Sequence, residues 1–106
     1  MPTRWDETQV GKITDVHQEI QALNCSSDLT APLNTIGDDL QWLHQYNLYT
    51  GAKDIDAMVT IEEKTVNEFQ DNVAAKKSNA VYCQLKKALL LQQTDIIGHT
   101  IKGSLQ

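Results

Sequence analysis

DIDAMVTIEEKTVNEFQDNV, residues 54–73, decides the fold. Ile55, Val59, Glu62, Val66, Phe69 and Val73 follow one another at steps of 4, 3, 4, 3 and 4. A strand would alternate with a period of two; these steps follow the turn of a helix. They are also a heptad series, the seam of a helix lying at about +20° to its neighbour. One seam position is acidic. A carboxylate among apolar side chains is costly unless it is paired. Glu62 is therefore expected at a bundle end or reaching to the margin of the seam, where water solvates it. A register mark or a functional acid is the other reading.

The neighbouring stretches carry the same period. This helix begins near Lys53 or Asp54 and ends in the turn AAKKSN, where Lys76 and Lys77 suit a helix C-terminus. Before it, Leu33, Ile36, Leu40 and Leu43 step 3, 4 and 3. Pro32 fits only a first turn, where no backbone donor is missed, and Ser27 or Thr30 would cap this helix. Gly51 in "YTG" reads as the left-handed residue that ends it. The first helix spans about Arg4 to Asn24, with Val10, Ile13, Val16, Ile20 and Leu23 inward, Thr3 as N-cap and Asp6 at the third helical position. Gly11 weakens it by about 1 kcal/mol relative to alanine.

The last helix runs from about Asn79 toward the end, capped by Ser78. Its apolar arc is broad. One edge carries Tyr82, Leu85, Leu89 and Ile96, and the other carries Cys83, Leu90, Ile97 and Ile101. An arc that wide predicts contact with two or more neighbouring helices. The expected fold is all-α: four amphipathic helices forming an antiparallel helical bundle, one domain over residues 1–106. The heptad steps also suit coiled-coil assembly, in which oligomerisation completes the bundle.

Composition narrows the function classes. The chain has 106 residues, enough for one core, and 22% charged residues, typical of a globular chain. Only 2 Pro and 5 Gly punctuate it, too few for the turns of an all-β chain. The net charge is -5 and the basic residues are scattered, so no stripe exists to bind nucleic acid or an anionic membrane surface. The stretch MPTRWDETQV is polar and shows no secretory leader. With no leader, Cys25 and Cys83 are expected as reduced thiols, and the location as cytoplasmic.

Little in the sequence points to catalysis. There is no G-x-S-x-G, no glycine-rich phosphate loop and no Cys beside a His, so a non-enzymatic protein is expected. No cofactor is implied. His17, His44 and His99 fall on three different helices, without the Glu-x-x-His pair of carboxylate-bridged bundles, so no metal is expected.

The run HTIKGS, residues 99–104, resembles the phosphoacceptor box of histidine-containing phosphotransfer domains, which are also helical bundles. The resemblance implies His99 as phosphoryl acceptor, Lys102 one turn on as its charge partner, and Gly103 as clearance for the docking protein. It covers six residues. In that family a further helix follows the box, and here the printed sequence stops at Gln106. The same residues also describe a helix end, with Gly103 as terminator and Lys102 complementing the dipole.

The feature that points to function is on the second helix. Trp42, Tyr46 and Tyr49 step 4 and 3 on the face opposite its leucines. With the aliphatic face in the core, the aromatic face looks outward, and Trp and Tyr are enriched at binding hot spots. The expected function is a protein–protein interaction module, such as an assembly subunit, adaptor, chaperone or inhibitor. It would recognise another protein, or itself, through Trp42, Tyr46 and Tyr49. Leu90, Ile97 and Ile101 form a second candidate face wherever neighbouring helices leave them uncovered. Phosphotransfer through His99 is the alternative.

Overall fold

The computed structural model describes residues 6–103. Four helices follow in order: α1 Glu7–Gln21, α2 Thr30–Thr50, α3 Lys53–Ala74 and α4 Ala80–Gly103. Each packs on two others, α1 on α2 and α4, and α3 on α2 and α4, so the helices stand at the corners of a square. The cross-helix bonds run in opposite chain directions, as Asn34–Gln70 and His44–Asp56 do between α2 and α3. The bundle is up-down-up-down and measures 50 × 20 × 17 Å.

The seams meet in the middle. Val16 and Ile20 of α1, Ile36, Leu40 and Leu43 of α2, Val59, Val66 and Phe69 of α3, and Leu90 and Ile97 of α4 are fully buried. Each such side chain contributes about 1.5–3 kcal/mol when removed from water. Phe69 meets the Tyr82 ring edge-on at 5.7 Å, joining α3 to α4.

The helix ends follow local chemistry. Asp6 has extended backbone and its carboxylate accepts the amides of Thr8 and Gln9, so Asp6 itself is the N-cap of α1. This corrects the third-position expectation; Thr3, Arg4 and Trp5 lie outside the described residues. Pro32 does fall in the first turn of α2. Neither expected cap serves that helix, because Asp28 accepts the Thr30 amide one residue upstream of the cap position. Gly51 takes the left-handed conformation as expected (φ 74°), and the Ala52 amide reaches back to the Asn47 carbonyl. The end of α3 uses the same motif with a lysine: Lys76 sits at φ 58°, and the Lys77 amide bonds the Asn72 carbonyl. Asn79, rather than Ser78, caps α4 by accepting the Tyr82 amide.

Two expectations are overturned. Cys25 and Cys83 are joined by a disulfide, with Cα atoms 5.8 Å apart, so neither is a free thiol. The fold brings the connection at residues 22–29 over the start of α4, a meeting that sequence separation hides. Glu62 is not at the margin either. It is 0% exposed, in the middle of the α3/α4 seam. The Thr94 hydroxyl lies 2.7 Å from Glu62 Oε2 and 2.9 Å from the Leu90 carbonyl. One hydroxyl donates one proton. Thr94 donates it either to Glu62 Oε2 or back to the Leu90 carbonyl of its own helix. Burial pushes the carboxyl up to about 7, against the opposing bond from Thr94. A carboxyl that takes up its proton this readily lowers the cost of its place in the seam.

A candidate interaction face on the second helix

The two faces of α2 are as different as the sequence implies. Leu33, Ile36, Leu40 and Leu43 enter the core, and the opposite side faces outward. Trp42 is 44% exposed and Tyr49 is 89% exposed. Tyr46 is half-buried. Its ring stacks on Trp42, with centroids 5.4 Å apart and planes 10° from parallel. Its hydroxyl donates to the Asp6 carboxylate at 2.9 Å, which raises its pKa. Tyr46 is thus a support that fixes the Trp42 ring, rather than a free contact residue.

These rings border an open groove of about 430 Å³ lined by Asp38, Gln41, Trp42, Gln45, Tyr46 and Tyr49. The ring of Trp42 is already used as a cation receptor. Lys12 of α1 holds its ammonium 4.8 Å from the ring centroid and 3.5 Å from Asp39. Behind it lies Glu19, whose pKa is raised to about 8 by burial, by its hydrogen bond to Asp39 and by the charges of Asp39 and Asp15, with Lys12 opposing. Burial first, and the neighbouring carboxylates after it, favour the protonated form of Glu19.

A second groove, of about 320 Å³, runs between α1 and α4. Ile13, Thr14, His17, Thr94, Asp95, Gly98, His99 and Lys102 line it. The structure therefore brings His99 and Lys102 to one surface, as the phosphoacceptor resemblance requires. It also places the Asp95 carboxylate there, and an anionic phosphoryl group on His99 would meet it. Ser104 lies outside the described residues. His44 is elsewhere, hydrogen-bonded to Asp56 at 2.8 Å. Among the described residues no three His, Cys, Asp or Glu side chains are arranged to hold a metal.

Leu90, Ile97 and Ile101 are buried in the core, together with Cys83. They are covered by α1 and α3 and offer no outer face, which removes them as a second candidate surface. The other edge of the arc is the open one. Leu85, Leu89 and Ile96 are exposed, and so are Val81 on the same helix and Ile61 on α3. The residues were visible in the sequence, but α4 shows apolar residues on both edges, and periodicity does not say which edge turns inward. No described helix is long and apolar enough to cross a membrane.

Fold and surface together define a four-helix up-and-down bundle that carries an aromatic outer face. No family model, no curated protein and no solved structure matches the chain.

Proposed function

We propose that this chain is a non-enzymatic protein–protein interaction module that recognises a partner protein through the outer face of α2. The observation that carries the reading is the exposure of Trp42 and Tyr49 along a groove of about 430 Å³. Large aromatic side chains left in water beside a concave surface are the usual anchors of an interface. The polar groups of that groove, Asp38, Gln41 and Gln45, include no nucleophile and base in partnership. The partner is a segment carrying Lys or Arg. Trp42 already accepts one ammonium from Lys12, Asp38 stands in the groove, and the chain carries a net charge of -5. The disulfide favours an oxidising compartment over the expected cytoplasm as the place of action.

The test compares wild-type protein with a Trp42→Ala, Tyr49→Ala variant as baits, followed by titration of the purified partner. The expected result is unchanged helicity with partner affinity reduced at least about tenfold. Equal affinity for both baits would remove the α2 face, and loss of helicity would show these rings to be structural.

A further inference from the structure

The two sulfurs of the Cys25–Cys83 bond stand in different surroundings. Cys83 is 1% exposed and lies in the first turn of α4, its amide bonded to the Asn79 carbonyl. Cys25 belongs to the connection between α1 and α2 and is half-buried. With Ser27, Asp28, Ser78 and Asn79 it borders an open groove of about 180 Å³, and Cys83 is not among the residues that line it. That volume lies below the range of drug-sized sites and suits a molecule of a few heavy atoms. Asp28 alone is charged among the lining residues. Its carboxylate accepts the Thr30 amide at 3.0 Å, and this bond, with one from the Thr30 side chain, holds the carboxyl below its usual pKa.

We infer that Cys25 is a thiol-exchange site: a small thiol that carries a positive charge attacks its sulfur from this groove, with Cys83 as the leaving group. The first argument is access. Exchange requires a thiolate to reach a disulfide sulfur, and of the two cysteines only Cys25 borders the groove. The second is the leaving group. The first turn of α4 favours negative charge at Cys83. Lys87 stands one turn further along that face, with its ammonium on the Gln21 and Leu23 carbonyls. A thiolate left on Cys25 would instead meet Asp28. Burial disfavours a thiolate at Cys83, so access carries most of the preference. The third is charge. An attacking thiolate is an anion, repelled by Asp28 and by a net charge of -5, and an ammonium on the same molecule offsets that repulsion.

The step balances without an oxidant. The incoming sulfur bonds to Cys25, the Cys25–Cys83 bond breaks, and its electron pair goes to Cys83. The proton that the attacking thiol lost returns through water to Cys83. The product is a mixed disulfide on Cys25. The covalent tie between the connection and α4 is then gone, and the Lys87 bonds to Gln21 and Leu23 remain.

The test mixes wild-type protein with cysteamine, β-mercaptoethanol or mercaptoethanesulfonate. Samples are quenched in acid at early times, alkylated and digested with trypsin. Residues 13–53 then carry Cys25, and residues 78–86 carry Cys83. The adduct is expected on residues 13–53, at least about tenfold over residues 78–86. Per thiolate and at low salt, cysteamine should react at least about threefold faster than mercaptoethanesulfonate. Asp28→Asn keeps an acceptor for the Thr30 amide and should narrow that ratio. Adduct shared equally between the two cysteines, adduct mainly on Cys83, or none until denaturant is added would overturn the site. A cysteamine preference that Asp28→Asn leaves unchanged would overturn the class of thiol.

Discussion

Thr94 bridges Glu62 and Leu90: its hydroxyl lies 2.7 Å from the buried carboxyl and 2.9 Å from the carbonyl one turn back on its own helix. Burial disfavours the charged form of Glu62, and the bond donated by Thr94 offsets this only in part. Folding raises this carboxyl from 4.5 to about 7, and the folded protein binds more protons than the unfolded chain between those values. The contribution of Glu62 to stability is then greatest in acid, falls as pH rises through that window and levels off above it. Chemical denaturation of Glu62→Gln against wild type should show no difference below pH ~4.5 and an advantage for the variant of up to ~3 kcal/mol above pH ~7. An equal pH dependence for both proteins would refute the neutral acid.

The disulfide joins positions separated by 58 residues. Closing so long a loop in the unfolded chain is worth about 4 kcal/mol in the chain-entropy account. Replacing both Cys25 and Cys83 by serine should lower the denaturation midpoint accordingly. Adding reductant to wild type should lower it to the same level and leave the variant unmoved.

Lys76 ends α3 in a conformation that glycine adopts without strain, and Gly51 does the same work for α2. Lys76→Gly should stabilise the protein by up to about 1 kcal/mol, read as a rise in melting temperature. A fall would mean that the lysine side chain contributes more than its backbone costs.

Asp6 combines two tasks: it caps α1 and receives the Tyr46 hydroxyl. Asp6→Ala should lose about 1–2 kcal/mol, and Tyr46→Phe about 0.5–1 kcal/mol. The losses should be less than additive when combined, because both remove the same bond.

The positions that were legible in the sequence were those governed by neighbours within one turn. The steps of Val59, Val66 and Phe69 marked the seam of α3, and Pro32 and Gly51 marked the start and end of α2, because a helix period and a φ angle are local properties. What escaped was set by packing. Nothing near Cys25 announces Cys83, since their meeting depends on two connections and the square of helices. Glu62 looked like a marginal acid because its partner, Thr94, comes from another helix and its charge state from burial. In α4 both edges were apolar, and the choice of Leu90 and Ile97 over Leu89 and Ile96 for the interior was made by α1 and α3. The aromatic face of α2 was readable, yet the turning of Tyr46 toward Asp6 required the start of α1 to be placed beside it.

The Cys25–Cys83 bond also changes what a protease can do to this molecule. It closes a covalent ring that contains all of α2 and α3, including the exposed turn at Gly51. A nick in that turn, at Lys53 for a trypsin-like enzyme, severs the chain without releasing a fragment. The two pieces stay tethered near the far end of the bundle, each with a helix pair that still packs on the other. Such clipped molecules would migrate as one species on a non-reducing gel and separate only after reductant is added.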